Sequence, residues 1–167
     1  MECKGKMKKL YICILFSLSI IVLHAQSNDC LKYVSDDTYY RYTAIGCQQI
    51  VNNNHAKAIN ESRKIANVKA ENELAKMLEI AVTKAVARMT EESDAYVDFY
   101  IDTMLVSTSK VIGGMKTICQ SKTELIDNMY VTNVTKEISI DNIGEMIAFE
   151  KEKDRNRFIK ILKNINR

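Results

Sequence analysis

The sequence predicts an α+β fold, a long alanine-rich helix with shorter helices packed on a small, mainly antiparallel three-stranded sheet. Three observations carry that expectation. Tyr39, Tyr40, Tyr42, Thr43 and Ile45 make an aromatic and β-branched run. From Ile59 to Met89, apolar residues recur at steps of three, four or seven, the spacing of one helical face. Two further β-rich runs flank Asp127-Asn128, a pair that tolerates the positive φ of a tight hairpin.

In chain order, Met1 to Ala25 reads as a secretory signal peptide. Lys4, Lys6, Lys8 and Lys9 precede the apolar run Leu10 to Leu23, and a small-residue exit follows at Ala25. The run falls short of the roughly 20 residues that a helix needs to cross a bilayer. Cleavage after Ala25 is expected. Of the chain's 24 basic and 21 acidic residues, those four lysines and Glu2 lie in the leader, so the remainder is electrically neutral. Without a basic excess, nucleic acid is not an expected partner. Proline is absent, so helices run uninterrupted and turns fall to Gly, Asn and Asp.

Residues 26–38 are polar and aperiodic, which predicts a flexible lead-in to a single domain spanning 39–167. The first strand covers Tyr39 to Cys47, and Asn52-Asn53-Asn54 supplies a turn and a helix N-cap. The long helix starts near His55 with a face of Ile59, Ala66, Ala70, Leu74, Met77, Leu78, Ala81, Ala85 and Met89. Such small residues let it lie close on a neighbour. Ile80, Val82 and Val86 also alternate as in a strand, but the intervening alanines favour helix. Between Asp94 and Ile112 the same ambiguity recurs, and Gly113-Gly114 as a stop favours helix again. Met115 to Lys122 and Met129 to Ser139 read as strands. The tail from Asp141 onward predicts one broken or two short amphipathic helices, the last over 151–166, with seven basic and two acidic residues from Lys151 to the end.

Cys30, Cys47 and Cys119 follow the leader. Three pairings are open, as is the reading of all three as buried apolar residues, and spacing does not choose. No Cys-x-x-Cys occurs and His55 is the one histidine past the leader, so zinc is not expected.

Several residues in this order resemble the LPP-type twenty-kilodalton lipoprotein family. They are Tyr42-Thr43-Ala44-Ile45-Gly46, Ala56 and Ala58, then Ala66 and Ala70 leading to Glu73-Leu74-Ala75. The string Val111 to Cys119, the strand Tyr130 to Ser139 and the tail around Arg157-Phe158-Ile159-Lys160 are similar to that family's closing hairpin and terminal helix. The resemblance implies a helix-on-sheet domain in a cell envelope and supplies no catalytic residue. Lipidation is not expected here: Cys30 follows Ser27-Asn28-Asp29 where small or apolar residues would be needed, and Cys13 lies inside the apolar run. The expected product is a soluble periplasmic or secreted protein.

Each candidate site has a plainer reading. Ser107 to Lys110 matches Ser-x-x-Lys, the pairing of an acyl-transfer nucleophile with its base, but the companion motifs are missing and a solvated helix end accounts for it. Asp98 and Asp102 stand one turn apart without a third ligand and read as a solvated stripe. Tyr39, Tyr40 and Tyr42 offer stacking faces, yet alternation on a strand divides them between core and edge. Phe158, Ile161, Leu162 and Ile165 suit a membrane surface or the cover of a sheet, and packing is the preferred reading. Asn60-Glu61-Ser62 and Asn133-Val134-Thr135 match the glycosylation pattern, silent in a bacterial envelope. No catalytic, cofactor-binding or metal residue is nominated. The expected function is a non-enzymatic envelope module that binds another protein through a sheet edge or helix face. Membrane-surface association through the basic C-terminal helix is the alternative, and a Ser107–Lys110 hydrolase ranks below both.

Overall fold

The computed structural model describes residues 28–91, 112–147, 149 and 151–166. A short 3-10 turn at Asn28–Cys30 leads to β1 (Tyr39–Gln49), and α1 (His55–Thr90) follows. Then come β2 (Lys116–Gln120), β3 (Glu124–Ile126), β4 (Met129–Ser139), α2 (Ile140–Met146) and α3 (Glu152–Ile165). The long helix on an antiparallel sheet is the predicted architecture. The described sheet has four strands: β2 falls within the strand expected over Met115 to Lys122, and β3, beyond that range, is a short strand that the sequence reading did not expect. β4 is the central strand, paired along its whole length with β1 on one side and with β2 and then β3 on the other.

Local chemistry explains the elements. Asn52 and Asn53 take φ of 53° and 55°, the left-handed region that Asn tolerates, and the Asn54 side chain accepts from the Lys57 N–H at 3.0 Å to cap α1. Asp127 and Asn128, at φ 47° and 62°, form the two-residue turn between β3 and β4. Between Thr117 and Cys119 a bulge shifts the register by one residue, so Cys119 pairs with Thr135. Because strand side chains alternate, that slip turns Cys119 to the face away from α1.

α1 buries Ala58, Ser62, Ala66, Ala70, Leu74 and Leu78, a residue every four positions, then Ala81, Val82, Ala85, Val86 and Met89. A step of four advances about 40° beyond a full turn, so the stripe winds round the helix as it follows a twisted sheet. The predicted face therefore missed Ala58 and Ser62, and Ile59 lies at its margin. Val82 and Val86 point into the core from a helix and belong to no strand.

The stripe is graded in size. At the small end the helix backbone rests on β1: a Cβ added to Gly46 would overlap the Ser62 carbonyl oxygen and the Ala66 nitrogen and stand 2.9 Å from Ala66 Cβ. Gly46 is thus required by close approach, with φ in the ordinary negative range. At the large end Leu74, Leu78, Val86 and Met89 join Tyr40, Ile138, Ile140, Ile143, Phe158 and Leu162 in the main core. Phe158 and Leu162 of α3 are fully buried there, so the apolar stripe of the C-terminal helix fills the wedge between α1 and the sheet.

A few polar groups fix the alignment. Ser62 meets the Thr132 hydroxyl at 3.0 Å, Thr132 meets Thr123 at 2.9 Å, and Arg63 Nε donates to Thr123 at 2.9 Å. Lys136 projects from β4 to Glu71 of α1 at 2.5 Å, between the small-residue contact and the main core. Tyr40 donates its hydroxyl to the Leu162 carbonyl at 3.3 Å, joining β1 to α3.

Replacing Gly46 with Ala is expected to cost about 2–3 kcal/mol, since backbone atoms of α1 must move. Thermal unfolding of Gly46→Ala against the parent checks this, and an unchanged midpoint contradicts the close contact. Burial pushes the Tyr40 hydroxyl up to about 12. Its folded value exceeds the roughly 10 of an unfolded tyrosine, so its contribution is whole below about pH 10 and is lost as pH rises through the folded value. Denaturant unfolding across that range should fall less steeply in Tyr40→Phe than in the parent.

Candidate functional site

The two faces of the sheet differ. Tyr40, Tyr42, Ala44 and Gly46 of β1, with Val134, Lys136 and Ile138 of β4, face α1. Tyr39, Arg41, Thr43, Ile45 and Cys47, with Val131, Asn133, Thr135 and Glu137, occupy the opposite face. The three tyrosines are divided as alternation requires, and Tyr39 lies under the Arg41 guanidinium, 4.8 Å from its ring centre.

Residues 28–38 cross this second face and are fastened to it. Cys30 is fully buried and forms a disulfide with Cys119, 89 positions along the chain. This settles the open pairing and leaves Cys47 as an exposed free thiol. The Cys30 carbonyl lies 3.2 Å from the Thr43 hydroxyl and 3.0 Å from that of Thr135. Arg41 donates to Glu137 and to the Val34 carbonyl, each at 2.9 Å, and pairs with Asp36. Burial would raise the Asp36 carboxyl, but the Thr38 and Tyr39 N–H groups and Arg41 outweigh it and hold the group below its ordinary value. Burial likewise pulls the Arg41 guanidinium down, and Glu137 and Asp36 lift it above its ordinary value. Charge counting along a sequence does not reveal such a clamp, because the partners of Arg41 come from two separate segments, the lead-in and β4.

Among the described residues, the same lead-in caps the free edge of β1 at one end only. Ser35 Oγ accepts from the Arg41 N–H at 2.8 Å and donates to its carbonyl at 3.1 Å, and the Tyr39 carbonyl accepts from the Asp36 N–H at 3.0 Å and from Asn166 at 3.1 Å. These bonds show that odd-numbered residues of β1 aim their backbone groups away from β4. Further along, Thr43, Ile45, Cys47 and Gln49 therefore present outward N–H groups and carbonyls. Among the described residues, the Gln49 carbonyl alone of this set has an acceptor bond, from the Gln48 side chain at 3.2 Å. No charged side chain occurs between Thr43 and Gln49, and Ile45 and Cys47 are exposed. At its far end the edge opens into a cleft of about 490 Å³ lined by Gln48, Gln49, Val51, Asn54, Lys57 and Glu61, among others.

Ser107, Lys110, Asp98 and Asp102 lie outside the described residues, as do Met1 to Ala25 and all but the last residue of the helix expected over 94–112. Of the two glycosylation patterns, Asn60 is exposed on α1, while Asn133 is buried within β4. Among the described residues no cluster of His, Cys, Asp or Glu is arranged to hold a metal ion, and no helix is long and apolar enough to cross a membrane. No family model, curated protein or solved structure matches the chain.

Peptide mapping without reduction is expected to recover Cys30 joined to Cys119, with Cys47 alkylated under native conditions. Closing a loop of this length makes the bridge worth about 4–5 kcal/mol. Cys30→Ser with Cys119→Ser should lower the unfolding midpoint accordingly, and Cys47→Ser should leave it in place.

Proposed function

We propose that this protein is a non-enzymatic, exported envelope module that binds another protein by strand addition to the free edge of β1. The observation that carries the reading is the row of outward backbone groups from Thr43 to Gln49. Sheet edges of this kind accept an extended partner through main-chain hydrogen bonds, and proteins usually blunt them with charge, proline or a covering segment. Here Ser35, Asp36 and Asn166 cover the edge as far as Arg41, and the stretch beyond carries no charge or proline and, among the described residues, no covering segment.

Export is supported by the basic and apolar pattern of Met1 to Ala25 and by the Cys30–Cys119 disulfide, since such bonds persist in oxidising compartments. The resemblance to LPP-type lipoproteins is compatible with an envelope location and rests on the residues quoted for it. Membrane-surface association through α3 is the weaker reading, because Phe158 and Leu162, which it would insert, are spent on the core.

A photo-crosslinking amino acid at position 47, introduced in the producing cell, is expected to give discrete protein adducts. The same group at Ile80, exposed on α1 away from the edge, is the control. Ile45→Pro removes one outward N–H at an edge position where proline is tolerated, and it should leave the fold intact while abolishing the adducts. Equal labelling from both positions, or none from position 47, overturns the proposal.

A further inference from the structure

We infer that the strand added to the β1 edge is β1 of a second copy of this chain, giving a two-fold symmetric dimer with one sheet running through both copies; the inference rests on the strand-addition reading above and names its partner. Among the described residues the open stretch of edge runs from Thr43 to Gln49, and Gly46 lies at its centre. A two-fold axis there, with the strands antiparallel, sets Thr43 against Gln49 of the second copy and Ile45 against its Cys47. These residues aim their N–H groups and carbonyls outward, so each opposed pair exchanges both hydrogen bonds. Arg41, which Ser35 covers, falls opposite Val51, where the second copy has already left its strand. The cover ends where the incoming strand ends.

α1 is placed to join the same interface. It lies over β1 and β4 together, on Ala44 and Gly46 of the one and on Thr132 and Lys136 of the other. Two copies sharing an edge therefore hold their helix axes about two strand spacings apart, roughly 9–10 Å, an ordinary helix-packing distance. Sheet twist over the same interval turns one helix about −40 to −50° from the other, close to the angle at which rows of residues four apart interlock. The row that meets the second copy can be assigned. Arg63 and Glu71 reach Thr123 and Lys136 on the β4 side, so the opposite flank carries Lys57, Glu61, Ile65, Lys69 and Glu73. Lys57 and Glu61 accordingly line the cleft beside Gln48 and Gln49 of the β1 edge. Gly46 lies against the Ser62 carbonyl and the Ala66 nitrogen, which sets Ile65 at the height of the proposed axis. Reversed about Ile65, the row is its own complement: Glu61 meets Lys69 of the second copy, Lys69 meets its Glu61, and the two Ile65 side chains meet each other. Lys57 and Glu73 continue the pattern farther out, where the helices diverge. A contact between identical surfaces requires this kind of self-complementarity. Glu61 and Lys69 have no ion-pair partner among the described residues, so both are available, whereas Glu73 is engaged with Lys76.

The test follows sedimentation over concentration for the protein produced from its full-length sequence and for charge-reversed variants. The parent is expected to sediment as a dimer, and Ile45→Pro as a monomer. Glu61→Lys alone sets two lysines against each other, and Lys69→Glu alone sets two glutamates together. Each reversal acts at both symmetric contacts, so each should raise the dimer Kd on the order of tenfold or more. The double variant restores opposite charges and should recover the parent Kd. Mixing the two single variants under different fluorescent labels should give heterodimers that form more tightly than either homodimer, a result that misfolded variants would not produce. A dimer indifferent to both reversals and to Ile45→Pro uses another surface and overturns the inference. The crosslinks from position 47 separate this failure from that of strand addition. Adducts of twice the chain's mass are expected. Adducts with a different protein, beside a monomeric parent, overturn the second-copy inference and leave strand addition standing, whereas no adduct from position 47 overturns both.

Discussion

The contact of the α1 backbone with β1 at Gly46 is the constraint on which the rest of the fold depends. It sets how closely the helix approaches the sheet, and so which side chains fit between them. Where the gap is narrow, the helix offers Ala58, Ser62, Ala66 and Ala70. Where it widens, the helix offers Leu74, Leu78, Val86 and Met89. The opening wedge would expose those larger residues if nothing filled it. Tyr40, Ile138, Phe158 and Leu162 close it, which makes α3 part of the core even though most of its residues are charged or polar. Dispersion and hydrophobic burial both favour this graded fit, since each end then packs without voids.

The opposite face of the sheet is held by different means. No described helix packs on it, and the lead-in is fastened across it by one covalent bond and a cluster of polar contacts at Arg41. That fastening stops partway. It satisfies the edge of β1 at Tyr39 and Arg41 and leaves Thr43 to Gln49 with main-chain groups facing outward. Among the described residues the edge is therefore protected at one end and open at the other. The surface that supports the proposed function is thus a direct product of where the disulfide anchors the chain.

Much of the fold was legible. The bounds of β4, the start of α1 and the Asp127-Asn128 turn follow from alternation, helical spacing and residues that tolerate positive φ. The candidate site was legible only as a general expectation of a sheet edge. Arg41 gave no signal, because its partners Val34, Asp36 and Glu137 come together only after β1 and β4 pair. Ser62 was not counted on the predicted apolar face, yet its hydroxyl is buried against Thr132. The one-residue bulge after Thr117 was equally silent, and without it Cys119 would face α1.

The sequence by itself determined the α+β class, the order of the main elements and the alanine-lined face of α1. Those properties depend on local backbone preference and on periodicity, which neighbouring residues along the chain specify together. Only the tertiary structure decided that Cys30 joins Cys119, that the lead-in is pinned, and that no described segment covers the β1 edge past Arg41. Each of these depends on which strands become neighbours and in what register. A shift of one residue reverses every side chain in a strand, and single-residue spacing in a sequence does not encode it.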